Sequence, residues 1–140
     1  MKLKNIFLIV FLTLLGCSET EEEDFNSCTS NCVIIDNNLY KNTKTNNYTV
    51  SDVKLNGDLL TIKINASGCD GNSWQATLVD ANEIAESNPV QRYIKLSLEN
   101  KEACLAVFNK DFTFNIKKLK ENQTEIILNL EGWKTHINYK

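Results

Sequence analysis

From Tyr48 onward the chain alternates apolar and polar residues with a period of two. That spacing sends successive side chains to opposite faces of a strand. The clearest unit is a hairpin between Tyr48 and Asn65. Its centre, Asn56-Gly57, is the dipeptide favoured in a type I′ turn, where both central residues need positive φ. With those two residues as the loop, Leu55 pairs with Asp58 and Val53 with Leu60, so Val53, Leu55, Leu60, Ile62 and Ile64 share a face. Tyr48 and Val50 would then point the other way. A bulge near Ser51-Asp52 resets the parity and is predicted there.

The alternation continues to the C-terminus. Ser67-Gly68-Cys69-Asp70-Gly71-Asn72 is a cluster of turn residues, and Trp74, Ala76 and Leu78 follow as a strand. Ala81 to Ser87 reads as one helical turn or an irregular edge, ended by Asn88-Pro89. Ile94, Leu96 and Leu98 line one side of the next strand, and Glu99-Asn100-Lys101-Glu102 turns the chain. Cys104, Ala106 and Phe108 alternate, Asn109-Lys110-Asp111 reads as another turn, and Phe112, Phe114 and Ile116 lead to Leu119. Ile126, Leu128 and Leu130 form a strand, Gly132 a turn, and Ile137 and Tyr139 close the chain. Seven or eight short strands with turns between them predict an all-β fold, an antiparallel β-sandwich of the immunoglobulin-like kind. Each strand has a single apolar face, as when one side packs and the other is wet.

The N-terminus has a different pattern. Lys2 and Lys4 precede an apolar run from Ile6 to Leu15, broken by Thr13. This is the layout of a secretory signal, and the run is about half the ~20 residues of a spanning helix. It ends in Leu14-Leu15-Gly16-Cys17, which resembles a bacterial lipobox. The resemblance implies a thioether-linked diacylglycerol on Cys17 and further acylation of its new amino group. One chain holds a protein only marginally, at about 0.8 kcal/mol per methylene, whereas two or three make the anchor stable. An ordinary signal peptide with a chance cysteine would favour Ala-x-Ala before the cut, which is absent. Ser18, Glu19, Glu21, Glu22, Glu23 and Asp24 resemble the export signal of surface lipoproteins in Bacteroidota-type bacteria, and equally suit a solvated, self-repelling linker. The expected organisation is a signal peptide over residues 1–16, a lipidated acidic tether over 17–32 and one domain over 33–140. The expected location is the outer membrane, facing the cell surface, with a periplasm-facing position as the alternative.

Charge narrows the partners. The chain has 15 basic and 18 acidic residues, and Lys2 and Lys4 leave with the signal, so the mature protein carries a net −5. A mildly acidic chain without a basic patch is a poor ligand for nucleic acid. Lys117, Lys118 and Lys120 cluster only as a solvated edge or turn. The expected partners are the membrane, through the anchor, and a protein or a glycan.

With Cys17 lipidated, Cys28, Cys32, Cys69 and Cys104 remain, an even set that suits an exported protein. Three connectivities are open. The favoured one pairs the sequence neighbours Cys28 and Cys32, and Cys69 with Cys104, which would clip distant strands or loops together. A four-cysteine zinc site needs short spacing on both sides, and Cys69 and Cys104 lack it.

Gly68-Cys69-Asp70-Gly71 with Trp74, Glu86-Ser87-Asn88-Pro89 with Gln91-Arg92, then Cys104 and Phe112-Thr113-Phe114-Asn115-Ile116 resemble small β-sandwich surface lipoproteins of Bacteroidota-type bacteria. The likeness runs from about Asn65 to Lys140. It implies the sandwich fold and the Cys69–Cys104 pairing, and it implies no catalytic activity and no cofactor.

Few residues offer chemistry. His136 is the sole histidine and lies in a strand pattern without a nucleophile motif. No phosphate-cradling glycine loop and no histidine-containing metal motif is present. Asp70, Asp80, Glu83 and Glu86 are acids of the type glycosidases pair, but nothing in the sequence sets two of them across a cleft. Asp70-Gly71-Asn72 is a fragment of a calcium loop without the remaining ligands and reads as a turn. Trp74 and Trp133 are candidate sugar-stacking platforms, Trp74 the better core residue beside the disulfide and Trp133 the more exposed. Arg92, the only arginine, is expected to pair with Glu83 or Glu86. Catalytic and metal residues are expected to be absent, and the expected function is a non-catalytic interaction or envelope-accessory module, with a glycan-binding accessory module and an enzyme of unrecognised type as the alternatives.

Overall fold

The computed structural model describes residues 31–140. Among them are eight strands and two short helices: β1 (Cys32–Ile35), α1 (Asn37–Asn42), β2 (Thr49–Asn56), β3 (Leu59–Gly68), β4 (Gln75–Ala85), β5 (Val90–Glu99), β6 (Ala106–Asn115), α2 (Lys117–Lys120), β7 (Ile126–Leu130) and β8 (Ile137–Tyr139). They form a sandwich of two sheets, one ordered β1-β4-β5-β7-β8 and the other β2-β3-β6. The all-β sandwich expected from the alternation is present, but the strand directions are mixed. β1 runs parallel to β4, and β5 parallel to β7. Parallel neighbours need a crossover between them. Here the crossover is the other sheet: the β2–β3 hairpin separates β1 from β4, and β6 separates β5 from β7.

The core lies between the sheets. β3 buries Leu60, Ile62, Ile64 and Ala66, and β6 adds Phe112 and Phe114. Facing them are Ala76 and Leu78 of β4, Ile94, Leu96 and Leu98 of β5, and Ile126, Leu128 and Leu130 of β7. Ile137 and Tyr139 close it from β8. The predicted bulge is present, as a register shift between Val50 and Asp52. It turns Tyr48 inward, where its hydroxyl donates to the Leu96 carbonyl at 2.6 Å.

The hairpin turn lies one residue later than the Asn56-Gly57 reading. Asn56 pairs with Leu59 and Leu55 with Leu60, leaving Gly57 and Asp58 as the loop. Only Gly57 takes positive φ, +56°, the pattern of a II′ turn with glycine first. Asp58 is held from outside the hairpin: its carboxylate accepts from the Tyr139 hydroxyl and its carbonyl from the Ile116 N–H. The register moves by two, so the side-chain faces survive the error.

Two other expectations change. Ala81 to Ser87 is largely strand, with β4 bent by a register shift between Asp80 and Ile84 and with Asn82 at φ +52°. Asn109-Lys110-Asp111 is not a turn. These residues pair in unbroken register with Asn65, Ile64 and Lys63, and Asp111 meets Lys63 across the strands at 3.8 Å. The alternation also missed β1 and α1. α1 starts on Asp36, whose carboxylate accepts the Leu39 N–H at 2.8 Å, a side-chain cap at an N-terminus. Lys117, Lys118 and Lys120 lie in α2, which turns Leu119 into the core. No helix among the described residues is long and apolar enough to cross a membrane.

Candidate functional site

The chain enters the sandwich at one end, where the Asn31 N–H donates to the Ala76 carbonyl at 2.8 Å. At this same end loops 69–74 and 100–105 meet. Cys69 and Cys104 are disulfide-bonded, with Cα atoms 4.8 Å apart and a sequence separation of 35. This is the pairing the family resemblance implies, and it removes both sulfurs from any zinc site. Cys32 is also disulfide-bonded, while Cys28 and Cys17 lie outside the described residues, with the lipobox and the acidic stretch.

A carboxylate reinforces the disulfide. Glu102 Oε2 accepts from three successive backbone N–H groups, Cys69 at 2.6 Å, Asp70 at 3.2 Å and Gly71 at 3.1 Å. Its Oε1 accepts from the Ser73 hydroxyl at 2.6 Å. Successive N–H groups that converge in this way form an anion-binding nest, and here a side chain of the same protein fills it. The Ser73 hydroxyl and then the backbone donors pull the Glu102 carboxyl down to about 2. Trp74 packs under the loop, only 3% exposed. Gly68 makes room for it, since a Cβ there would lie 2.4 Å from Glu102 Oε2 and 2.7 Å from Trp74 Cζ2. Trp74 is therefore core and no platform. Asp70 caps its own turn, accepting the Asn72 N–H at 2.8 Å.

The same end exposes an uninterrupted apolar run. Ala103, Cys104, Leu105, Ala106 and Val107 are all exposed, Leu105 by 90% and Val107 by 70%. Periodicity placed Cys104 and Ala106 in a strand with one buried side, and no pattern in the sequence marked this stretch as a surface. Val107 also borders a shallow depression of about 290 Å³ lined by Asn46, Asn47, Thr49, Asn65 and Ser67.

Trp133 is half-buried against the core. With Val50, Gly132, Lys134 and Thr135 it lines a depression of about 240 Å³. Gly132 sits at φ +83°, and the Trp133 N–H donates to the Leu130 carbonyl at 3.1 Å. The partly buried ring lies on a surface that offers a lysine and a hydroxyl.

The other candidate residues serve the fold. Arg92 is 2% exposed and Asp80 0% exposed. Arg92 Nε and Nη2 donate to the two Asp80 oxygens at 2.9 and 2.8 Å, and Nη1 donates to Glu121 at 3.0 Å. The partners are therefore not Glu83 or Glu86. Arg92 precedes Ile94 by two and shares its buried face, which brings Nε and Nη2 to the buried Asp80 of the neighbouring strand while Nη1 reaches the partly exposed Glu121 behind α2. The Asp80 hydrogen bonds raise the Arg92 guanidinium further above its ordinary range, against the opposing effect of burial. Glu121 is held at φ +49° just behind α2. Glu83 accepts from Asn37 at 2.7 Å and lies 4.0 Å from Lys41. His136 is exposed, its Nδ1 at 2.5 Å from Asn129 Oδ1. Among the described residues no group of three histidine, cysteine or acidic side chains is placed to hold a metal ion.

In fold, the chain is similar to a DUF1344 protein of unknown function from Bacteroides vulgatus. The TM-score is 0.51 at 11% identity, over 79% of this chain and 55% of that one. A putative toxin-related protein from Parabacteroides distasonis superposes with a TM-score of 0.49 at 11% identity, over 79% of this chain and 59% of that one. The chain thus spans little more than half the length of either. No family model matches the sequence, and no curated protein matches it. What the likeness defines is a class of two-sheet sandwich.

Proposed function

We propose that this is a lipid-anchored, non-catalytic binding module of the bacterial envelope, held on the outer membrane through Cys17 and facing the cell surface. The observation that carries the reading is Leu14-Leu15-Gly16-Cys17 behind a short apolar run, followed by an acidic stretch and then by a sandwich that begins at Cys32. A domain tied to a bilayer by acyl chains acts on what comes near that bilayer. Its buried ion pair serves the fold: Arg92 and Asp80 bond each other, Arg92 also reaches Glu121, and Asp80 also accepts the Asn82 N–H. Intact-mass analysis of the membrane fraction tests the anchor: acyl mass on Cys17 is expected, and Cys17→Ser releases the protein or leaves it unprocessed. An unmodified Cys17 in correctly exported protein removes the reading.

A second reading rests on Trp133. A half-exposed indole beside Lys134 and Thr135 suits a sugar ring, which stacks its apolar face on an aromatic and bonds its hydroxyls to polar neighbours. On this reading the module is a glycan-binding accessory. Retention on a panel of immobilised polysaccharides should be lost in Trp133→Ala, and a panel that retains neither protein, or both equally, counts against it.

A further inference from the structure

We propose that the run Ala103-Cys104-Leu105-Ala106-Val107 rests on the bilayer that carries the anchor, so that the domain touches the membrane at two points and lies with its disulfide end down. This rests on the lipid-anchor reading and goes beyond it, because the anchor alone leaves the domain free to tumble. An acyl anchor on Cys17 ties one point of the chain to the bilayer, 14 positions ahead of Asn31, and one point does not define which end of the domain meets the lipid.

Two observations on the fold select the end. Five consecutive residues without a charge are exposed together, and runs of this kind are excluded from ordinary surfaces unless they meet something. The chain outside the described residues leads into the domain here: Asn31 bonds to Ala76, and β1 starts opposite Thr77 and lies against β6, whose first residues belong to the run. Cys17, the lipid-bearing residue on the proposed reading, lies 14 positions before Asn31, so the bilayer is within reach of the end that exposes Leu105.

Charge and stiffness agree with this. The two acids flanking the run are both engaged, Glu99 by Lys101 at 2.5 Å and Glu102 by the nest of loop 69–74. The Cys69–Cys104 disulfide fixes the run to the next loop, so presenting Leu105 costs little ordering entropy. A rigid apolar tip of this kind can dip past the headgroups, with Asp70 the exposed rim acid that no cation among the described residues pairs.

The test is amide hydrogen exchange on the full acylated protein, in detergent and on vesicles of phosphatidylethanolamine and phosphatidylglycerol. On vesicles, exchange over residues 100–108 should slow by about tenfold, the ratio that burying one leucine-sized side chain supports. Residues 117–125, at the opposite end, should not change. Leu105→Asp with Val107→Asp should abolish the slowing and leave the thermal midpoint near wild type, because both side chains are already exposed. No slowing over 100–108, or equal slowing at both ends, overturns the proposal. Slowing that grows with protein concentration without vesicles also overturns it and assigns the run to a second copy. A His-tagged Cys17→Ser protein tethered to nickel-chelating lipid separates the two failures. If it shows the slowing while native Cys17 proves unmodified, only the anchor reading falls; if it shows none while Cys17 is acylated, only the membrane-contact proposal falls.

Discussion

At the disulfide end, loops 69–74 and 100–105 are joined by a covalent bond and by a half-buried carboxylate bonded to backbone N–H groups. At the opposite end, β4, β5 and the turn behind α2 are joined by a guanidinium that lies almost wholly out of water. The first closure is local in what it disturbs, because solvent reaches Glu102. The second is not, because Asp80 and Arg92 can be separated only by leaving a buried charge behind. A buried pair is weak evidence of net stabilisation, yet breaking one half of it is costly. The two ends should therefore fail differently when a single group is removed.

The largest effect is expected from Arg92→Met. It strands Asp80, which is 0% exposed, and should cost about 3–5 kcal/mol in urea unfolding. Adding Asp80→Leu should recover much of that loss, since replacing both partners by apolar groups of similar size removes the uncompensated charge. If the double variant is no more stable than the single one, the loss belongs to packing and the contrast between the ends weakens. Glu121→Ala, at the solvated edge of the same network, should cost at most about 1 kcal/mol.

Opening the disulfide comes next. Cys69→Ala with Cys104→Ala frees a loop of 35 residues' separation and should cost about 3–4 kcal/mol on the chain-entropy model. Because the loss acts largely through the unfolded chain, urea unfolding should register it while the core strands keep their exchange protection relative to one another. Unchanged stability in the double variant would mean that Glu102 and Trp74 suffice to hold this end.

These two closures were not equally legible in the sequence. The alternation of Leu60, Ile62 and Ile64, or of Ile126, Leu128 and Leu130, gives strands and their buried faces directly, because period-two burial leaves a mark at every position. The parity was robust even where the turn was misplaced, since a shift of two in register keeps each side chain on its face. Arg92 was misread because a charged residue on a buried face breaks the apolar pattern without naming its partner. Its partner Asp80 sits where β4 bends, a feature with no sequence period. Lys110 and Asp111 read as a turn by composition, and cross-strand pairing with β3 overrode it. Short β1 and α1 carried too few residues for a period to show. Glu102 was one more surface acid until the backbone of loop 69–74 folded around it. A nest is made of N–H groups, which every sequence has.

The smallest effect sharpens the contrast through pH. In the unfolded chain the Glu102 carboxyl titrates near its ordinary 4.5, and in the fold it is held down to about 2, chiefly by the Ser73 hydroxyl and the backbone donors of loop 69–74. A lowered carboxyl pKa means that folding favours the ionised form. The contribution is therefore complete above about pH 5, declines as pH falls from 4.5 towards 2, and is gone below that. Glu102→Gln removes it at every pH. Wild type should be the more stable at pH 7, and the two thermal midpoints should converge as pH approaches 2. The gap between wild type and Arg92→Met should not follow the titration of Glu102, because Arg92 bonds Asp80 and Glu121 and makes no bond to Glu102. A gap between wild type and Glu102→Gln that stays constant from pH 7 to pH 2 would mean that the nest holds the side chain by shape and not by charge, leaving the Arg92–Asp80 end as the one closed by charge.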